Sequence, residues 1–374
     1  MRTLVISDLH LGARSRIDLV RRPELRASLL GALEGIERVV LLGDTLELRH
    51  GPVREALAAA EGFLRDLGAA LGPGREVVLV AGNHDHHLFE PWLERRARGS
   101  EPPPLELEET VAGPRGELLD LIAGWLEPAR LRAAYPGVWL RPDVYAMHGH
   151  YLDRHVTVPT FERLAVGVIH RLNGSPPVPG DRLEDYEAAL APVYAWIHAM
   201  AQAAPPARGV GAHGASAQLW QSLAGGSGHR PLRSTALRTG VALTIATLNR
   251  AGLGPLRADV SGVELRRAGL RAMGEVVERL GIAAEHVIFG HTHRAGPWPG
   301  DAPEAWMAST GARLVNTGNW VYEPHFLTRN PNESPYWPGV GVVVDDEGPP
   351  RLERFLGYRG HAELRPAEPD DEDR

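Results

Sequence analysis

Five short groups of histidine, aspartate and asparagine residues are the part of this sequence that could do chemistry. They are Asp8-Leu9-His10, Gly43-Asp44, Gly82-Asn83-His84-Asp85, His148-Gly149-His150 and Gly290-His291-Thr292-His293. Imidazole and carboxylate ligands suit manganese, iron or zinc. Two such cations held about 3.5–4 Å apart can catalyse the hydrolysis of a phosphate ester. Together the five groups predict one two-metal site.

The spacing within the groups indicates how the ligands divide between two cations. An Asp-x-His or His-x-His segment presents two ligands on the same side of an extended chain, because side chains alternate with period two. A carboxylate between two cations also lowers their mutual repulsion. We expect the first cation to be held by Asp8, His10 and His293, the second by Asn83, His148 and His291, and Asp44 to bridge them.

The residues next to Asn83 predict a catalytic pair. We expect His84 to face the substrate, where it could donate a hydrogen bond to phosphoryl oxygens or a proton to the leaving group. Asp85 could orient His84 through one of its ring nitrogens.

Three further residues could contact substrate or support the ligands. Arg14 follows the first ligand turn and could clamp a phosphate, although a solvated surface arginine fits the sequence as well. His150 could contact the substrate or lie behind the ligands. Asn319 follows an expected strand and could contact the substrate.

Each ligand group follows a short apolar run that is typical of a buried parallel strand. The runs are Thr3–Ser7, Val39–Leu42, Val77–Ala81, Val144–Met147 and Val287–Phe289. Folds of the α/β class place ligand sites beyond the carboxyl ends of such strands. Strand-like runs alternate with helical patterns over residues 1–150, which predicts an α/β layer architecture.

The pattern also predicts a discontinuous organisation. Residues 1–150 and 276–360 form the core, residues 151–275 form a mostly helical insertion, and residues 361–374 form an acidic, disordered tail. Helices are expected over 181–202, 236–251 and 263–280. The insertion could cap the site or pack as ordinary helices outside it.

The composition excludes several other kinds of site and reaction. The 374 residues include no cysteine and no lysine, which excludes thiolate metal sites, a cysteine nucleophile and Schiff-base chemistry. The net charge of −7 argues against broad nucleic-acid binding. Met1-Arg2 runs directly into the first strand without a signal peptide, and no apolar stretch reaches the roughly 20 residues of a transmembrane span. We therefore expect a cytoplasmic protein.

The ordered set of motifs resembles the calcineurin-like metallophosphoesterase superfamily. Its signature is Asp-x-His, Gly-Asp, Gly-Asn-His-Asp/Glu, a histidine near glycine, and Gly-His-x-His. All five blocks stand here in that order, over roughly 1–150 and 280–358. The resemblance implies a two-sheet β sandwich flanked by helices. It also implies a dinuclear centre, with manganese first and iron or zinc as alternatives, whose bridging hydroxide attacks phosphorus in line.

Within that superfamily, Ser7–Gly12 and Gly43–Glu47 look most like the bacterial branch that contains UDP-2,3-diacylglucosamine hydrolases. Two positions depart from that branch, which typically has arginine where His84 stands and an acidic residue where His150 stands. The expected substrate is therefore a phosphorylated small molecule or a lipid-linked one, and an apolar cap would add peripheral membrane contact. A scaffold without catalysis and a nuclease are the alternative functions.

Overall fold

A curled sheet of mixed direction forms the centre of the part of the chain that the structure describes. This is a computed structural model, and it describes residues 1–98, 103–112, 116–155, 182–203 and 262–366. In these ranges the strands are β1 (Thr3–Ile6), β2 (Arg38–Leu42), β3 (Glu76–Val80), β4 (Glu108–Thr110), β5 (Arg130–Arg141), β6 (Val144–Met147), β7 (His286–Phe289), β8 (Arg313–Asn316), β9 (Val340–Val344) and β10 (Arg351–Arg354). The helices are α1 (Pro23–Gly31), α2 (Val53–Leu71), α3 (Glu90–Ala97), α4 (Glu117–Trp125), α5 (Leu183–Ala203), α6 (Gly262–Arg279) and α7 (His361–Leu364).

The long strand β5 joins two halves of the sheet. The strand order is β10-β9-β1-β2-β3-β5-β6-β7-β8, and β4 pairs with β5 at one side. In the first half β1, β2, β3 and β5 are parallel, and in the second half β6, β7 and β8 are parallel. The pairing of β5 with β6 is antiparallel and contains a register shift, so β5 contributes to both halves.

The two halves pack face to face, as the sandwich predicted from the sequence requires. Alternate residues of the first half, such as Val5 and Val40, lie in one buried cluster with Ile288 and Val315 of the second half. The intervening residues, such as Leu4 and Val39, face outward into a second cluster shared with α1, α2 and α4. This division of side chains between two apolar faces explains why the parallel strands are apolar at consecutive positions.

Helices α5 and α6 cover the outer face of the second half. Tyr186 and Val193 of α5 lie in one apolar cluster with Met273 of α6 and with Phe289 of β7. The C-terminal end of α5 also contacts the loop before α2, where Gln202 Nε2 donates a hydrogen bond to the Gly51 carbonyl oxygen at 3.3 Å. These helices match the first and third of the three expected here, while the one expected over 236–251 falls outside the described ranges.

The C-terminal segment begins in ordered structure, which differs from the tail expected from residue 361. Leu364 of α7 is fully buried, and Arg22 Nη2 donates a hydrogen bond to the Glu363 carbonyl oxygen at 2.8 Å. Residues 367–374 lie outside the described ranges. Across the ranges that are described, no helix is long and apolar enough to cross a membrane.

Candidate metal centre

The five ligand groups meet at one edge of the sandwich, because each lies in the turn directly after a strand. The turns follow β1, β2, β3, β6 and β7. Backbone hydrogen bonds connect neighbouring turns: His10 N–H donates to the Asp44 carbonyl oxygen at 2.8 Å, and Gly290 N–H donates to that of His148 at 2.9 Å. Residues separated by almost the whole chain are thus brought together at the carboxyl ends of the strands.

The backbone of these turns is held in the left-handed region. Asp8, His10, Asp44, His291 and His293 have φ values of 56°, 45°, 51°, 65° and 58°. Non-glycine residues rarely adopt this conformation, and each costs on the order of 1–3 kcal/mol. Arg16, with φ 55°, is the one other such residue in the described ranges. The strain is concentrated where ligand side chains must converge.

Two glycines allow the turns to approach each other. A Cβ atom at Gly82 would overlap the Asp44 carboxylate, and one at Gly290 would overlap Ser7 and Asp8. The glycines of the Gly-Asn-His-Asp and Gly-His-x-His motifs therefore make room for ligands from other turns.

The first ligand group combines Asp8, His10 and His293. His10 Nε2 lies 3.2 Å from His293 Nε2 and 3.9 Å from Asp8 Oδ1, and His293 Nε2 lies 3.4 Å from Asp8 Oδ1. Ligands at about 2.1 Å from one cation are separated by roughly 3–3.5 Å. The three atoms therefore surround a space that fits a divalent ion.

The second ligand group combines Asn83, His148 and His291 around Asp44. Asp44 Oδ2 lies 3.3 Å from His148 Nε2, and the inward atom of the Asn83 amide lies 3.1 Å from Asp44 Oδ2 and 3.2 Å from His291 Nδ1. With its oxygen inward, Asn83 faces acceptors only, which a cation between them would satisfy. The flipped amide would instead donate to these atoms and accept from Arg49.

One carboxylate oxygen belongs to both groups. Asp44 Oδ2 lies 3.7 Å from His10 Nε2 of the first group and 3.3 Å from His148 Nε2 of the second. Asp8 Oδ1 is fully buried and accepts no hydrogen bond from any residue in the described ranges. A buried carboxylate oxygen without a donor is unfavourable unless a cation compensates it. The donor set thus fits two adjacent divalent cations, with Asp44 in the bridging position.

A second ring of acceptors fixes the histidine ligands. His10 Nδ1 pairs with Glu47 Oε2 at 3.0 Å, His293 Nδ1 with Glu323 Oε2 at 2.9 Å, and His291 Nε2 with Asp153 Oδ1 at 3.0 Å. His148 Nδ1 lies 2.9 Å from the Leu42 carbonyl oxygen. An acceptor on one ring nitrogen sets the orientation of a metal-binding histidine and directs the other nitrogen to the ion.

His84 is oriented by Glu47, which corrects the expected pairing with Asp85. His84 Nδ1 lies 2.9 and 2.8 Å from the two Glu47 carboxylate oxygens. The Asp85 carboxylate instead accepts backbone N–H groups, including those of Gly82 and Thr45 at 2.7 Å each. Asp85 follows His84 in the sequence, but its side chain points toward the backbone of the turn that contains Asp44. It therefore connects the turn after β2 with the turn after β3.

Burial and neighbouring charge shift the pKa in opposite directions at Asp44 and His84, and in the same direction at Asp85. Burial raises the pKa of Asp44, but His148 and His84 lower it more, so that it lies well below its usual value. Burial lowers the pKa of His84 to about 4, against the influence of Glu47 and Asp44. Burial and the charge of Asp44 raise the pKa of Asp85 to about 6. The Asp44 carboxylate therefore stays ionised, as a carboxylate that binds a metal must be.

A comparison with protein families identifies the family of this chain. The family model of the calcineurin-like phosphoesterases matches residues 1–224. This chain belongs to that family. The phosphoesterase match includes the first four motif groups, whereas Gly290–His293 lies beyond it. No curated protein matches the sequence.

Two solved structures similar to this chain are distant from it in sequence. A cold-active protein-tyrosine phosphatase of a psychrophilic Shewanella species has 13% identity and a TM-score of 0.27, with 92% of this chain and 75% of that chain covered. A dimetal phosphatase from Danio rerio has 15% identity and a TM-score of 0.34, with 95% of this chain and 99% of that chain covered. TM-scores this low do not establish a shared fold, so the family assignment rests on the family model alone.

The three additional candidate residues, Arg14, His150 and Asn319, lie in different surroundings. Asn319 is buried, and its Nδ2 donates to the His293 carbonyl oxygen at 2.7 Å, so it supports a ligand turn. His150 is also buried, and within the described part of the chain neither of its ring nitrogens has a hydrogen-bond partner. Arg14 Nε pairs with Glu55 at 3.3 Å on the wall of an open cavity of about 590 Å³ that Arg16 also lines.

The carboxylates that pair with the candidate ligand histidines were not assigned from the sequence. Glu47 lies three residues after Asp44, within the segment Gly43–Glu47. This short spacing is a local signal that could have identified it. Asp153 and Glu323 have no such signal. Their contacts with His291 and His293 join residues distant in the sequence, so only the folded chain reveals them.

Proposed function

We propose that the chain is a metal-dependent phosphoesterase that hydrolyses a phosphomonoester, a phosphodiester or a pyrophosphate. The observation that carries this proposal is the pair of ligand groups that share Asp44 Oδ2. Asp8, His10 and His293 would hold one cation, and Asn83, His148 and His291 the other. Two divalent cations there, manganese first and iron or zinc as alternatives, would supply Lewis-acid polarisation of phosphoryl oxygens and activation of a water molecule.

The proposed contribution of His84 is to move a proton. Its Nδ1 is fixed by Glu47, which leaves Nε2 for the substrate, and its side chain is 19% exposed, whereas that of Asp44 is 2% exposed. A negatively charged phosphate ester beside the ring would raise the pKa of His84 toward the protonated form that a general acid needs. Protonated Nε2 could then donate to the leaving-group oxygen.

The substrate class is proposed to be a phosphorylated small molecule or a lipid-linked one. Arg14 and Arg16 line an open cavity next to the first ligand turn, since Ala13 N–H donates to the His10 carbonyl oxygen at 3.0 Å. That placement supports Arg14 as a candidate contact for a second anionic group of the substrate. The proposed cap is formed by residues 151–275, of which 156–181 and 204–261 lie outside the described ranges.

Hydrolysis assays with metal analysis test the proposal. The purified chain, reconstituted with Mn²⁺, is expected to bind two metals and to hydrolyse at least one of bis-p-nitrophenyl phosphate, p-nitrophenyl phosphate and a panel of nucleotides. Two bound metals without hydrolysis of any of these would favour a scaffold. Fewer than one metal per chain would contradict the metal centre itself.

Replacing Glu47 by glutamine should lower activity by about 10–100-fold, the usual effect of losing an outer partner of a metal-binding histidine. The amide keeps the shape of the side chain but removes the charge that orients both His10 and His84. Steady-state kinetics with metal analysis measures the effect. Glu61→Gln, which removes an exposed pair with Arg65, is the matched control and should behave as wild type. Equal activity in the two variants would remove Glu47 from the site.

A further inference from the structure

A second group of metal-binding side chains lies at the opposite ends of the strands from the catalytic candidates. Asp143 directly precedes β6, Glu285 directly precedes β7, and His286 is the first residue of β7. One ligand atom of each residue lies within 4.8 Å of those of the other two. These strands carry His148 and His291 beyond their other ends, so this group is separate from the centre described above.

The environment of the His286 side chain indicates that a ligand binds here. Its side chain belongs to the buried polar residues, with 5% relative exposure, and among the residues that the structure describes neither ring nitrogen has a hydrogen-bond partner. A buried imidazole without partners is rare, because its nitrogens lose their hydrogen bonds to water on folding. One of those nitrogens lies next to the two carboxylates, in the position where a cation would satisfy all three residues.

The backbone holds the three residues in a fixed arrangement. The Asp143 carbonyl oxygen accepts from both Glu285 N–H at 2.9 Å and His286 N–H at 3.0 Å. The Asp143 side chain is held by Arg141, whose Nε and Nη2 donate to Oδ1 and Oδ2 at 2.8 and 2.7 Å. Each carboxylate oxygen can accept a second interaction, so this pairing leaves Asp143 able to bind a cation.

Burial favours a neutral imidazole at His286. Burial lowers the pKa of His286, and Arg313 and Arg141 lower it further, whereas Glu285 and Asp143 raise it. The arginines weaken the attraction for a cation, while the two carboxylates strengthen it. A neutral imidazole is the form that coordinates metals.

We propose that Asp143, Glu285 and His286 form a binding site for a divalent transition metal, with zinc as the best match. One imidazole with two carboxylates is a ligand set that zinc uses, and water completes the coordination. The ion would connect the starts of β6 and β7 and so stabilise the second half of the sandwich. This site is independent of the proposed phosphoesterase function.

Zinc binding to the full chain tests the site. Equilibrium dialysis with ZnCl₂ and elemental analysis would compare wild type with Glu285→Gln and His286→Asn. His291→Ala weakens the other centre, and Glu304→Gln changes an exposed carboxylate elsewhere as a control. We expect one zinc per chain to bind at least about tenfold more weakly in Glu285→Gln and His286→Asn. His291→Ala and Glu304→Gln should retain this binding event.

The thermal unfolding midpoint gives a second readout. Zinc should raise the midpoint of His291→Ala and Glu304→Gln by an increment that Glu285→Gln lacks, because a ligand that binds only the folded state stabilises it. Glu285 is exposed, so Glu285→Gln keeps the test valid if His286→Asn fails to fold. Unchanged zinc binding in Glu285→Gln would overturn the site. Loss of the same binding event in His291→Ala would do so too, because it would assign that zinc to the other centre.

Discussion

Replacing Asp44 by asparagine is expected to lower the proposed phosphoesterase activity by at least about 10³-fold, because Lewis-acid stabilisation by bound metal is worth several kcal/mol. The change keeps the size of the side chain. It removes the charge of the oxygen that lies 3.7 Å from His10 Nε2 and 3.3 Å from His148 Nε2. The metal content should fall from two per chain toward one or none. Elemental analysis after desalting and steady-state rates in Mn²⁺ measure both effects.

Asp66→Asn is the matched control for this change. Asp66 is half exposed and pairs with Arg26 on the helical side of the sheet, so its loss should leave metal content and rate unchanged. If Asp44→Asn kept two metals and full activity, Asp44 would not be the bridge. If Asp44→Asn failed to fold, it would lack the far-ultraviolet circular dichroism spectrum of wild type. In that case Asp44→Glu, which keeps the charge and changes the position of the carboxylate, replaces it in the same assay.

Replacing His84 by alanine is expected to lower the rate by about 10²–10⁴-fold while both metals stay bound. His84 is not needed to complete either ligand group, and its Nδ1 is already paired with Glu47. Its neighbour His87 pairs with Glu90 and stacks on His198, so His87→Ala is a control from the same turn. Single-turnover rates and elemental analysis of the two variants separate chemistry from metal loss.

The leaving group makes the His84 test sharper. If His84 protonates the leaving oxygen, His84→Ala should lose more activity on an alkyl or phenyl ester than on a p-nitrophenyl ester, whose leaving group needs no proton. Equal losses on both substrates would instead assign His84 to binding of the phosphoryl oxygens. No loss on either substrate would remove His84 from the mechanism.

Much of the fold follows from local sequence patterns. The apolar runs that predict β1, β2, β3, β6 and β7 are strands within one or two residues, because buried parallel strands are apolar on both faces. The sequence did not predict β5, which carries Pro136 and Gly137 and charged residues at its start. Proline and glycine are typical of strand ends, but here β5 passes from one half of the sheet to the other, and the sheet's tertiary pairing overrides the local signal.

The error at Asp85 has a related cause. Adjacent residues in a tight turn direct their side chains differently, so proximity in sequence does not make Asp85 the partner of His84. Asp85 accepts backbone N–H groups of the Gly82 and Thr45 region, while Glu47, from the turn after β2, reaches both His10 and His84. The spatial order of β1, β2 and β3 decides which turn lies beside which.

The sequence by itself determined the kinds of ligand and their order, because histidine, aspartate and asparagine in turns after apolar strands are visible without coordinates. Only the tertiary structure decided which atoms meet. His10 and His293 are neighbours because the curl of the sheet brings the turns after β1 and β7 together, and Glu47, Asp153 and Glu323 orient histidines from other turns. Local spacing fixes which side of its own segment a residue faces, whereas contacts between distant segments depend on the register and curl of the whole sheet.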